Sequence, residues 1–449
     1  MEMKDLLLTP LYLGLIYALA FAVQGQVTNI YTRKYFIPAL TVKLIGAIAL
    51  GLIYEFYYKG GDTFNYFHHI KIIQEAFGDS FSAGVKMLTA HGEYIPETIK
   101  YSSRMFWYRS AEAEYDLVRL GAVLAFFSFT TYTVIALFFA VISFSGMWAM
   151  YLTFLRIRPQ LYKQLAYAVF FVPSLFFWGS GLMKDSICVG ALGWLFYAFY
   201  KGVILRRQVS SMLLVGGLAA YVLFSIKVYI LLSFLPPALL WVFNENSQRI
   251  RNAALRTIAR PILIGTGLLV AVFAATTLTE GDAKYDVDNI GERSKITADY
   301  LYGISQEGSA YSLGEQDGTI SGMLKLAPQA IVVSLFRPFL WEVKNPIMLL
   351  SALESLFFLG FTGRILFRLG PQKTIGLIVR TPVLVLCFVF SLVFAATVGI
   401  VSYNFGTLVR YKIPLIPFYV AGLLITQSIG EDSVRQPTRK TKGSRLARA

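Results

Sequence analysis

Three short stretches set ionisable side chains against membrane-grade apolar sequence. Asp62 stands in Gly60-Gly61-Asp62-Thr63, directly after a long apolar run. Lys184 and Asp185 are adjacent inside the run from Phe171 to Ser186, which also holds Pro173, Gly179 and Gly181. Arg410 and Lys412 precede Pro414 and Pro417 late in the chain. A lysine or aspartate at the centre of a membrane helix costs about 2.5–3.5 kcal/mol on insertion scales. Such groups are therefore expected at a water-accessible break, in a pair, or both. The chemistry they could carry is complementary: a carboxylate can act as general base toward an acceptor hydroxyl, and lysine or arginine can hold a phosphate.

Each group also has a plain structural reading. Asp62 could cap the helix that follows it, and Asp185 could suit the positive end of a returning helix. Arg410 could extend to the interface, and Arg337, close to Trp341 and Glu342, is as suited to an interfacial anchor as to a ligand contact. His68, His69 and His91 lack metal-ligand spacing, because adjacent helical residues point about 100° apart. No phosphate-binding loop, dinucleotide fingerprint, nucleophile elbow or His-Glu-x-x-His motif is present. Neither a cofactor nor a metal is expected from the sequence.

The elements that must position these residues follow from composition. Of 449 residues, 56% are hydrophobic and 15% charged, and the mean hydropathy is +0.58, a balance that requires lipid-facing surface. An all-α, polytopic membrane helix bundle is expected, forming one domain over residues 1–428 with a basic, disordered cytoplasmic tail at 429–449. The net charge of +15 lies in short turns between apolar runs and in the tail, which points to the positive-inside pattern rather than to nucleic acid. Cys188 and Cys387 fall in apolar runs and read as packing residues.

Apolar stretches at about 6–24 and 37–57 come first, with Arg33 and Lys34 between them. The stretch at about 118–155 is long enough for a re-entrant or interfacial piece followed by one full crossing. Crossings are expected at about 164–182 and 186–200, a hairpin at about 209–244 broken near Lys227, and a helix at about 261–279 after the arginine-rich turn holding Arg249, Arg251, Arg256 and Arg260. An amphipathic stretch at about 322–341 precedes helices at about 346–363, 380–400 and 408–426. The count is about eleven (10–12), with the N-terminus outside and the C-terminus in the cytoplasm. Two large outer loops, about 58–118 and 280–344, are expected to hold interfacial helices. On this topology Asp62, Lys184, Asp185, Arg337, Glu342 and Arg410 share the external side.

The motifs resemble a family. Gly61-Asp62-Thr-Phe-Asn-Tyr66 resembles the acidic first-loop motif of the GT-C superfamily of membrane glycosyltransferases and of related O-antigen and exopolysaccharide polymerases. The segment from Pro173 to Asp185 is similar to their helix turn ending in a basic-acidic pair, and Arg410-Tyr411-Lys412-Ile-Pro414 to their late Arg-Tyr-x-x-Pro entry. The resemblance implies a polyprenyl-phosphate or pyrophosphate-linked sugar donor, a glycan or lipid-linked acceptor, and reaction at the outer face of a bacterial-type inner membrane. It implies Asp62 as base, Lys184 and Arg410 on the donor phosphate, and Asp185 as a supporting carboxylate. Tyr66, His68, Arg337, Glu342, Tyr411 and Lys412 are the accompanying candidates for substrate contact. Two helices rather than one precede the acidic loop, and Lys184 stands where arginine is usual; both differences favour the polymerase branch. A transporter or flippase of a lipid-linked anion, and a non-catalytic scaffold of an envelope assembly complex, are the rival expectations.

Overall fold

The computed structural model describes residues 2–247, 290–303 and 308–435. The described residues are helical, without a β-strand; one isolated bridge joins Ala310 and Asn404. The helices in chain order are α1 Met3–Val27, α2 Arg33–Leu52, α3 Asp62–Asp79, α4 Phe81–Thr89, α5 Ile99–Ser102, α6 Trp107–Ser110, α7 Glu112–Phe126, α8 Tyr132–Ile157, α9 Tyr162–Phe170 and α10 Pro173–Trp178. They continue as α11 Lys184–Ala198, α12 Val209–Ser247, α13 Ile290–Gly303, α14 Ile320–Phe336, α15 Pro346–Leu369, α16 Pro371–Arg380, α17 Pro382–Ser402, α18 Phe405–Tyr411 and α19 Ile416–Arg435. Among the described residues, 7 helices are long and apolar enough to cross a membrane, or up to 8 if α18 and α19, bent by 67°, form one broken span. The protein is thus a multi-pass helical membrane protein.

The difference from the expected eleven has identifiable sources. The expected crossing at 261–279 and the arginine turn before it lie outside the described residues. The expected crossing at 164–182 is two short helices of 9 and 6 residues, interrupted by the extended Val172 that precedes Pro173. The stretch at 322–341 forms a helix of only 17 residues, and 209–244, expected as a hairpin broken near Lys227, is two helical segments that meet at a kink at Lys227 (φ −147, ψ 74) and count together as one long apolar helix.

The chain divides into two compact units. The first comprises Met1–Arg156 and Val169–Leu231. Its region after α2 is a layer of helices, α3 to α7. On α3, Thr63, Tyr66, Phe67, Ile70 and Ile73 are buried at helical spacing, and on α7 Tyr115, Val118, Ala122 and Ala125 follow the same period. These stripes face one another as α3 packs against α7 and α4. The Tyr115 hydroxyl donates to the Met87 carbonyl at 2.6 Å, and Gln74 to that of Ala122 at 2.8 Å. Asp5 of α1 accepts from the backbone N–H and hydroxyl of Thr133, at 2.9 and 2.8 Å, at the start of α8.

Helices α8 and α11 approach backbone to backbone. A Cβ on Gly146 would overlap the Gly190 carbonyl, and one on Gly193 the Gly146 carbonyl. Small residues permit such contact between membrane helices, where dispersion replaces the missing hydrophobic drive.

The second unit comprises Ile157–Ala168 and Leu232–Ala449. Here α14 packs on α17, with the Ser334 hydroxyl donating to the Ala395 carbonyl at 2.7 Å. Phe390 and Phe418 meet edge to face at 4.8 Å between α17 and α19. The irregular segment before α14 is held to the end of α17 by Tyr311, whose hydroxyl donates to Gly399 at 2.9 Å, and by Gln316, which donates to Ile400 at 2.8 Å.

Candidate functional site

The break between α10 and α11 gathers buried polar groups within the first unit. Pro173 opens α10, whose N-terminal position tolerates the missing N–H. The chain leaves the helix at Gly179 and re-enters it at Lys184, with residues 178–183 all buried. Non-helical backbone away from water must find other partners. The Gly179 carbonyl accepts from the Lys43 ammonium of α2 and from the Ser143 hydroxyl of α8, the latter at 2.7 Å. The Gly181 carbonyl accepts from the Ser186 hydroxyl at 2.7 Å and the Met183 N–H at 2.8 Å.

The two charged residues that follow are each paired. Lys184 bonds Glu114 of α7, its side chain 13% exposed. Asp185 accepts from Lys227 at 2.5 Å, their side chains 1% and 6% exposed. Lys227 is the residue at which α12 departs from helical geometry. Of the two solutions open to charges in apolar sequence, the break uses pairing, with residues 178–183 buried around it.

Asp62 lies in the same unit. Lys59, Gly60 and Gly61 all have positive φ, of 55, 134 and 117, a run that only glycines make readily. Gly61 becomes the N-cap, so Asp62 is the first helical residue of α3 rather than its cap, and its charge still complements the helix dipole. A Cβ on Gly61 would stand 2.9 Å from the Tyr54 ring, and Tyr54 meets Trp178, the last residue of α10, edge to face at 6.5 Å. Tyr66 is a core residue packed on Trp107 at 4.6 Å, whereas His68 is exposed.

Its neighbour His69 is fully buried between the rings of Phe106 and Trp107, at 4.5 and 4.9 Å. Neither of its nitrogens has a hydrogen-bond partner among the described residues. Burial, reinforced by His68, pushes its pKa down to about 4.

The remaining candidates belong to the second unit. Arg337 is held by Glu342 through Nε at 3.0 and 3.1 Å and also through Nη2, and its guanidinium lies 5.3 Å from the Phe405 ring centre. Burial would raise the Glu342 pKa, but the bonds from Arg337 and the Phe339 N–H hold it below the usual carboxylate range. Arg337 also lines a cavity of about 370 Å³ with Ser312, Leu313, Pro328, Gln329, Val332 and Val333. Arg410 and Tyr411 end α18 and are half-buried, the guanidinium 5.9 Å from its neighbour's ring. Lys412 is buried in the bend before α19, its ammonium 3.4 Å from the Ser355 hydroxyl.

The predicted residues thus fall into two sets: Asp62, Tyr66, His68, Lys184 and Asp185 in one unit, Arg337, Glu342, Arg410, Tyr411 and Lys412 in the other. Sequence reasoning missed Lys43 and Glu114 and took Lys227 only as a break. The signal for Lys43 was its position as the one charge in the run 37–54. Among the described residues no cluster of His, Cys, Asp and Glu could hold a metal ion. No protein-family model, curated protein or solved structure matches this chain.

Proposed function

We propose that this protein is a membrane glycosyltransferase or polysaccharide polymerase that uses a polyprenyl-phosphate or pyrophosphate-linked donor. The reading includes the topology expected above, with about eleven crossings in an inner membrane, the N-terminus and the site outside, and a glycan or lipid-linked acceptor. The observation that supports it is the buried break at residues 179–185. There Lys43, Lys184, Asp185 and Lys227 are kept charged or polar in apolar surroundings, each with a partner. Three membrane crossings could be built without any of them, so their retention points to use. In the mechanism Asp62 takes the proton from the acceptor hydroxyl as it attacks the anomeric carbon. Lys184 stabilises the phosphate of the departing lipid.

Purified, folded variants given a polyprenyl-linked donor provide the test. Asp62→Asn is expected to lose about 10²–10⁴-fold in turnover while still binding donor. Glu114→Gln, which releases Lys184, is expected to tighten donor binding, and Lys184→Gln to weaken it. Wild-type turnover in both Asp62→Asn and Lys184→Gln would refute the reading. One observation favours a second: the non-helical Lys227 paired with Asp185 is also the form of a broken-helix transport site. Movement of a lipid-linked anion across proteoliposomes without a covalent product would select it.

A further inference from the structure

We infer that α16 is an interfacial helix that binds the anionic phospholipid headgroups of the leaflet it lies on. It joins α15 and α17, two consecutive helices long and apolar enough to span, so it lies at a membrane face. At 10 residues it is about 15 Å long, too short to cross.

Its sequence, Pro371-Gln-Lys-Thr-Ile-Gly-Leu-Ile-Val-Arg380, divides by face. At about 100° per residue, Pro371, Ile375, Ile378 and Val379 fall on one arc and Lys373 and Arg380 on the opposite one. Thr374, its one buried residue, lies toward the rest of the unit, where α16 packs on α15, α17 and α19. The apolar arc is left uncovered, with Ile375 60% and Val379 53% exposed. At the end of α15, Phe367 is 92% exposed.

The charges around this arc are one-sided. Arg364, Lys373 and Arg380 are exposed and have no hydrogen-bond or ion-pair partner among the described residues. Arg368 is partly neutralised by Glu431 at 3.5 Å. An apolar arc beside three unpaired cations fits the boundary where acyl chains give way to phosphates, and the cations favour anionic over zwitterionic lipid. This inference is independent of the transferase reading.

The test uses the full-length protein in phosphatidylcholine vesicles with and without phosphatidylglycerol. Cys188 and Cys387 are buried, so spin labels report on introduced thiols. Labels at Ile375→Cys and Val379→Cys are expected to be more accessible to oxygen than to a water-soluble nickel chelate, and a label at Lys373→Cys the reverse. In native mass spectra the protein is expected to retain phosphatidylglycerol over phosphatidylcholine, with the preference falling about fivefold for each charge removed by Arg364→Gln, Lys373→Gln or Arg380→Gln. Equal aqueous accessibility at all three labels, or a lipid preference that the Gln variants leave unchanged, would overturn it.

Discussion

The Asp185–Lys227 pair offers the sharpest test of how the break is held. The two side chains are 1% and 6% exposed and meet at 2.5 Å, so removing either charge takes a buried ionic partner from the other. Breaking a buried pair in this way typically costs about 3–5 kcal/mol, whereas replacing both partners with apolar residues of similar volume is near neutral or stabilising by about 1–4 kcal/mol. Asp185→Leu and Lys227→Met are therefore each expected to destabilise by about 3–5 kcal/mol, and the double variant by far less than their sum. Steric trapping in bicelles measures these free energies without requiring full solubilisation, and the four proteins close a double-mutant cycle. If the pair also serves turnover, the double variant combines near-native stability with lost activity. Single variants whose effects add to within about 0.5 kcal/mol would refute the premise that these charges depend on one another.

Two further perturbations address the surrounding structure. His69 is neutral when buried, with its pKa lowered from 6.5 to about 4, so its contribution is complete above pH 6.5 and is lost as the pH falls toward 4. At pH 5 that amounts to about 2 kcal/mol, seen as faster hydrogen exchange in α6 that His69→Phe abolishes; a pH-independent wild type would contradict it. Gly146→Val should cost about 1–3 kcal/mol or more by forcing α8 from α11. Gly14→Ala, where nothing lies within 4 Å, should stabilise α1 by about 0.5–1 kcal/mol, and thermal shift assays separate the two.

The helical class and most span positions were legible because apolar runs of about 20 residues have few alternatives in lipid. The break at 179–184 and the departure at Lys227 were legible for the same reason, since Pro173, the glycines and the charges interrupt such runs. Partners were not. Lys184 meets Glu114 and Asp185 meets Lys227, 70 and 42 residues away, and separation in sequence carries no signal for such contacts. The loop after α2 was read as an outer loop with interfacial helices, its charges masking the stripe at Tyr66, Ile70 and Ile73 that a 3.6-residue period does contain. Helix α16 was hidden by its four flanking and internal cations, which read as a cytoplasmic turn.

The bond from Lys43 to Gly179 spans 136 residues, and that separation bears on how the protein is made. Synthesis delivers α2 to the membrane long before its acceptor exists, so a lone ammonium must be carried through insertion at about 2.5–3.5 kcal/mol. Lys227 likewise emerges after Asp185, so α11 precedes the ammonium that its carboxylate meets. Early helices of this chain are therefore incomplete until later ones arrive, which makes their retention beside the insertion machinery, rather than prompt release into lipid, a requirement of assembly.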